Sequence, residues 1–195
     1  MTIEPSSPND DTIRDLATRL QTRIDRPVVL VGMMGVGKTS VGRRLAHALQ
    51  LPFTDADEEI ERAARMSVSE VFGRYGEAYF RDGERRVIAR LLADGCPPSV
   101  IATGGGAFVN EATRALILER GLAVWLDSDL DTLVERTGRK DNRPLLRNGD
   151  PREILGRLRE ERAPHYAQAP IQVLSAPGPH TQTLNRVLQG IAQWL

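Results

Sequence analysis

Apolar positions recur with two different periods along this chain. Ile13, Leu16, Ala17, Leu20 and Ile24 fall at helical spacing behind Asn9, Asp10 and Asp11, which are suited to capping a first turn. They predict an amphipathic helix that packs on the domain that follows. From Pro27 the pattern changes to short apolar runs separated by longer helical stretches. Val28–Val31 is continuously apolar and ends at Gly32, as expected of a strand buried on both faces. Residues 39–49 have helical periodicity, and residues 51–54 read as a second strand. Further strands are expected at Val100–Ala102, Ala123–Leu126 and Ile171–Leu174. Strands alternating with helices imply parallel crossovers and a sheet covered by helices. The pattern therefore divides the chain into a tail and helix over residues 1–26 and one α/β domain over 27–195.

Composition narrows the class. The 195 residues carry 26 Lys plus Arg against 26 Asp plus Glu, which argues against a broadly basic nucleic-acid binder. Cys96 is the only cysteine, so no intrachain disulfide forms. The start is polar and acidic, unlike a secretory signal. The longest apolar run, residues 28–36, is far shorter than the ~20 residues a membrane helix needs. A cytoplasmic chain with no membrane or nucleic-acid partner is expected.

The first strand runs into Gly32-Met33-Met34-Gly35-Val36-Gly37-Lys38-Thr39, which fits the eight-position phosphate-loop pattern in its required context of strand before and helix after. Glycines let the backbone N–H groups curl inward as an anion nest, and the helix N-terminus adds positive potential. Lys38 is placed to reach the β- and γ-phosphates of a nucleotide, and the Thr39 hydroxyl to coordinate Mg²⁺.

Charge is segregated elsewhere. Asp55, Asp57, Glu58, Glu59 and Glu61 put five carboxylates into seven positions after the second strand, where ligands bind in open parallel sheets. Asp55 and Asp57 suit a Mg²⁺-bound water and a substrate hydroxyl, or else the cap of a helix. The other three fit its first turn. Arg81 reads either as an acid-binding fork or as a surface pair with Glu84. Gly104, Gly105 and Gly106 follow the third strand and permit close backbone approach to a ligand, or form a plain turn. Arg136, Arg139, Lys140, Arg143 and Arg147 face only Asp141 across residues 136–147; such a run is usually a solvated loop, and beside a phosphate loop it reads better as a mobile lid over a nucleotide. Arg162 is one more arginine, set before an expected helix break at Pro164. His47, His165 and His180 have no supporting partners and read as structural or surface residues. Trp125 is expected in or near the core.

From Pro27 onward the sequence resembles the shikimate kinase family. The phosphate loop, Asp55-x-Asp57, Gly-Glu-x-x-Phe-Arg at 76–81, Gly104–Gly106, Arg-Pro-Leu-Leu at 143–146 and Arg-Ala-Pro-x-Tyr at 162–166 occur in family order. The resemblance implies a P-loop kinase fold of the nucleoside monophosphate kinase type: a five-stranded parallel sheet flanked by helices, with a lid at about 136–149 and a helical substrate-binding region. It also implies transfer of the ATP γ-phosphate to the 3-hydroxyl of shikimate, in aromatic amino-acid biosynthesis through chorismate, by a monomer. Carried over by motif, Lys38, Asp57 and Arg143 serve catalysis. Gly35, Val36, Gly37, Lys38, Thr39, Ser40, Arg136 and Arg143 bind ATP. Asp57, Arg81, Gly104, Gly105, Gly106 and Arg162 bind shikimate. Thr39 and Asp55 serve Mg²⁺, Asp55 mainly through water.

Two stretches depart from the family pattern. Residues 1–26 lie outside its shared core, and residues 175–180 offer no arginine to the adenine, so contact there is expected to be largely through backbone. Another small-molecule kinase, for gluconate or a nucleoside monophosphate, and a nucleotide-binding module without transfer activity are the alternatives. A GTPase is disfavoured by the lack of an Asn-Lys-x-Asp sequence. Deleting residues 1–10, which add no core-forming pattern, should leave the implied transfer activity intact in a coupled ADP assay; loss of activity in well-folded protein would place that tail in the site.

Overall fold

The structure is a computed structural model, and it describes residues 10–138, 149–175 and 180–195. Five strands form one parallel sheet: β1 (Val28–Val31), β2 (Phe53–Asp55), β3 (Val100–Ala102), β4 (Leu122–Asp127) and β5 (Ile171–Leu174). Their spatial order is β2-β3-β1-β4-β5. Helices α1 (Asp10–Gln21), α2 (Lys38–Leu49), α3 (Ala56–Ala64), α4 (Val68–Leu91), α5 (Glu111–Arg120), α6 (Leu130–Gly138), α7 (Pro151–Tyr166) and α8 (His180–Trp194) flank it, with a short 3-10 turn at Ala107–Val109.

β1 is central, and its four residues are fully buried, as its unbroken apolar run requires. In register, Val28 to Leu30 pair with Val100 to Ala102 of β3 on one side. Val28 to Val31 pair with Leu122 to Trp125 of β4 on the other. The chain crosses from the β3 side to the β4 side after β3. This places a topological switch point, where parallel sheets bind ligands, at the carboxyl end of β1.

Three boundaries differ from the sequence reading. β2 occupies Phe53–Asp55 rather than 51–54, because Pro52 gives its carbonyl to Val100 N and pairing begins only at Phe53. Asp55 thus ends the strand and caps α3 at once. β4 extends one residue beyond Ala123–Leu126 at each end. Pro164 does not break α7, which continues to Tyr166. A proline in the last turn disturbs only one preceding carbonyl, and too little helix follows for a kink to matter.

Two apolar clusters result. The larger spans both faces of the sheet and takes in Ile13, Ala17, Leu20 and Ile24 of the N-terminal segment, so α1 packs on the sheet domain as its pattern predicts. Trp125 is buried there too. The smaller consists of Ile60, Val71, Phe80 and Val87 and holds α3 against α4. A capping box between Ser67 and Glu70 starts α4. Gly76, at φ 82° and ψ 173°, then breaks its course into two segments. Among the described residues no helix is long and apolar enough to cross a membrane.

The joint between β1 and the loop is tight. Gly32 sits at φ +133°, and a Cβ there would lie 2.2 Å from the Leu126 carbonyl oxygen. That atom is strand backbone and cannot swing aside. Gly32→Ala should therefore cost about 3 kcal/mol or more, by overpacking and backbone strain together. Urea unfolding monitored by circular dichroism would read this as a lowered midpoint, and an unchanged midpoint would contradict it.

Candidate active site

The functional side chains converge at the carboxyl ends of the strands. On the nucleotide side, Gly35 and Gly37 have φ of +83° and +99°, which curls the loop into α2. Gly37 is the N-cap of α2 and has no side chain to satisfy the first helical N–H groups. The amides at the start of α2 are thus not taken by a side-chain cap and suit an anion. Lys38 is buried, and its Nζ donates to the carbonyls of Gly32 at 2.8 Å and Met33 at 2.9 Å, holding the ammonium within the curl. Arg136 donates to the Val36 carbonyl at 3.3 Å and to Ser175 Oγ at 3.4 Å, tying the end of α6 to the phosphate loop and to the end of β5. Arg143, the expected lid arginine, lies outside the described residues, as do Arg139, Lys140 and Arg147.

Asp55 is the helix cap that its sequence allowed, and its second oxygen meets the phosphate-loop threonine. Its Oδ1 accepts from the Asp57 backbone N–H at 3.0 Å and caps α3, while its Oδ2 accepts from Thr39 Oγ1 at 2.7 Å. Hydroxyl and carboxylate oxygens side by side at the mouth of the phosphate loop are hard donors of the kind Mg²⁺ takes. Glu58 pairs with Arg43, Glu59 with Arg62 and Arg90, and Glu61 accepts from the Val68 N–H. Glu58 and Glu59 lie in the first turn of α3 as expected, whereas Glu61 lies one turn further on and holds the start of α4.

The acceptor side is built on Gly104–Gly106. A Cβ on Gly104 would stand 2.4 Å from Glu84 Oε1 and 2.9 Å from Asp57 Oδ1; one on Gly106 would stand 2.5 Å from Arg81 Cζ. Two carboxylates and a guanidinium thus lie directly against backbone. Arg81 Nη1 donates to Glu84 Oε2 at 2.8 Å, and its Nη2 donates to Glu77 Oε1 at 3.0 Å. The pair with Glu84 exists, but not at the surface: the Glu84 side chain is 2% exposed. Arg162 is buried, and its Nη1 donates to the Gly105 carbonyl at 3.2 Å. His47 is exposed and His165 half-buried, neither drawn into this cluster.

Burial dominates the electrostatics. It pushes the Asp57 carboxyl up to about 7, aided by the negative charges of Glu84 and Asp55 and opposed by Lys38 and Arg81. The Glu84 carboxyl is also raised by burial, against the pull of Arg81. For Arg81, burial works against the charge, and the Glu84 and Glu77 carboxylates outweigh it and hold its pKa above the ordinary value. Among the described residues, Asp57 Oδ1 and Glu84 Oε1 are buried oxygens with no hydrogen-bond partner. Buried acceptors left unsatisfied are costly, and donors from a polyhydroxylated ligand would relieve that cost.

Sequence reasoning named Glu84 only as a surface partner of Arg81 and Tyr166 only as a motif position, and gave neither a role in the site. The signal for Glu84 was its place on the stripe Phe80, Glu84, Val87, Ile88, all buried in α4. A carboxylate in such a stripe has to find a cation.

A phosphate cradle beside a buried cluster of carboxylates and guanidinium groups, across the switch point of a five-stranded parallel sheet, fits a P-loop kinase that acts on small molecules. The family model of shikimate kinase matches residues 34–192. A shikimate kinase of Novosphingobium aromaticivorans is 66% identical over 179 residues, 91% of this chain and 93% of that protein. The solved structure of shikimate kinase from Acinetobacter baumannii in complex with shikimate matches with a TM-score of 0.84 at 34% identity, covering 91% of this chain and 97% of that one. A gluconokinase from Sinorhizobium meliloti matches with a TM-score of 0.58 at 19% identity over 88% of this chain and 94% of its own, a likeness of fold alone. The chain belongs to the shikimate kinase family, and it is an ATP-dependent phosphotransferase.

The raised Asp57 pKa has a consequence for stability. The folded chain holds a proton there that the unfolded chain, with a pKa near 3.8, releases. Stability therefore falls as pH rises from about 4 to about 7, by up to ~4 kcal/mol from this group. Asp57→Asn should flatten that decline and unfold at higher denaturant than wild type above pH 7, without nucleotide or metal. Parallel stability–pH curves for the two proteins would contradict the assignment.

Proposed function

We propose a division of labour in this site for transfer of the ATP γ-phosphate to the 3-hydroxyl of shikimate, giving shikimate 3-phosphate and ADP. The backbone N–H groups of Gly35, Val36, Gly37, Lys38, Thr39 and Ser40 cradle the phosphates. Lys38 leaves its loop carbonyls to meet the β- and γ-phosphates, and Arg136 lies on the base side of the nucleotide. Mg²⁺ is held by Thr39 and, through water, by Asp55. When bound, it neutralises developing charge on the phosphate oxygens. Arg143, carried over by motif, meets the transferring phosphoryl group.

On the acceptor side, Arg81 and Arg162 take the shikimate carboxylate. Arg81 keeps its buried bond to Glu84 and exchanges the exposed Glu77 for the substrate. Gly104, Gly105 and Gly106 bring bare backbone against the ring. Asp57 accepts from ring hydroxyls and orients the 3-hydroxyl towards the γ-phosphate. With its pKa near 7, it is also matched to take up the hydroxyl proton as the bond forms. Phosphoryl transfer needs little more than such positioning and charge neutralisation.

The observation that carries this reading is the acceptor pocket: two guanidinium groups and two unsatisfied carboxylate oxygens around one side-chain-free turn, beside the phosphate loop. A pocket that pairs a substrate acid discriminates against neutral polyols such as sugars. Residues 27–195 form the catalytic domain in this reading, with 1–26 as an appended segment. The chain acts as a cytoplasmic monomer without a membrane partner, as the family resemblance implies, and its balanced charge supports the lack of a nucleic-acid partner.

An acceptor panel with purified protein, ATP and Mg²⁺ tests the reading by coupled ADP release. Shikimate should support turnover, and gluconate and nucleoside monophosphates should not; the reverse pattern would sink it. Arg81→Ala and Arg162→Ala should each lose about 100-fold or more in kcat/KM for shikimate while ATP binding persists.

A further inference from the structure

Tyr166 closes the Arg-Ala-Pro-x-Tyr sequence and has no part in the roles above, yet it is buried at their centre. Its side chain is 1% exposed. Its hydroxyl donates to the Gly105 carbonyl, the same oxygen that accepts from Arg162 Nη1. The hydroxyl oxygen also lies 3.9 Å from the sulfur of Met33, whose carbonyl receives Lys38. The ring is fixed from behind by stacking on Trp125 of β4, with centroids 5.9 Å apart. One phenol therefore touches the acceptor turn, an acceptor-binding arginine and the phosphate loop.

The turn is sensitive to such a hold. A Cβ on Gly105 would stand 3.1 Å from the Met34 backbone nitrogen and 3.7 Å from the Gly32 carbonyl. The turn thus rests on the start of the phosphate loop. A doubly held Gly105 carbonyl fixes the plane of the Gly105–Gly106 peptide. It also fixes the Arg162 guanidinium in the orientation that meets a carboxylate.

We propose that Tyr166 is a positioning residue for the acceptor: its bond to the Gly105 carbonyl holds the glycine turn and Arg162 in the geometry that binds the substrate carboxylate. Burial pushes the phenol up to about 12, so it remains a donor at any working pH. The inference rests on the acceptor reading of Arg162 and Gly104–Gly106.

Tyr166→Phe keeps the ring and its stack on Trp125 and removes only the hydroxyl. The KM for shikimate should rise about tenfold, the effect of one neutral hydrogen bond, with kcat within about threefold and the KM for ATP unchanged. A purely structural role would loosen both substrates together. A double-mutant cycle supplies a second readout: in an Arg162→Lys background the Phe substitution should cost no more than about threefold, because the two donors share one acceptor. A shikimate KM within twofold of wild type, equal rises for both substrates, or full additivity in the cycle would each overturn the proposal. Absence of shikimate turnover in the wild-type chain would overturn the acceptor reading and this inference with it, whereas normal wild-type turnover with an unaltered Phe variant would overturn the inference alone.

Discussion

Four polar side chains, Asp57, Glu84, Arg81 and Arg162, meet over a turn made of residues that have no side chains, and the rest of the candidate acceptor site depends on that contact. Carboxylates buried this deeply are unfavourable unless they are paired. Here Arg81 neutralises Glu84, while Gly104 and Gly106 let both groups approach backbone more closely than any Cβ would permit. The resulting cluster leaves two buried carboxylate oxygens without hydrogen-bond partners. Its charge pattern, two guanidinium groups beside two carboxylates, fits a molecule that is both an acid and a polyol.

The nucleotide half obeys a different constraint. It is built on backbone amides and helix polarity rather than on paired side chains, with Lys38 held inside its own loop. The two halves share residues at few points. Thr39 with Asp55 is one, and the contact between the Gly105 turn and the loop is another. Both lie at the carboxyl end of β1, so the central strand sets the spacing between donor and acceptor.

Much of this was legible in the sequence. Continuous apolar runs located four of the five strands well, and the glycine spacing located the phosphate loop with its helix. The resemblance to a known family pointed to the acceptor residues, and the structure brings Asp57, Arg81, Gly104–Gly106 and Arg162 together. Long-range packing was not legible. The stripe of Phe80, Val87 and Ile88 was the one local hint that Glu84 is buried rather than a surface partner of Arg81, and the turn that covers it lies 20 residues away in sequence. Nor did Pro164 reveal that its helix continues, since tertiary contacts of Arg162 and Tyr166 hold that last turn. Asp55 looked like either a cap or a ligand because a carboxylate has two oxygens, and the fold uses both. Arg143 falls outside the described residues, so its role rests on the motif.

The small cluster of Ile60, Val71, Phe80 and Val87 stands apart from the sheet's core, and that separation shapes the landscape of partial unfolding. Four side chains anchor α3 to α4, while dozens stabilise the sheet. Ala56 and Ile88 tie the pair to the larger core, and few buried apolar contacts elsewhere in it lower the free energy of local opening. Asp57 and Arg81 sit on that helical pair, whereas Gly104–Gly106 and Arg162 rest against the phosphate loop, so local opening of α3 and α4 would disturb only part of the candidate acceptor side.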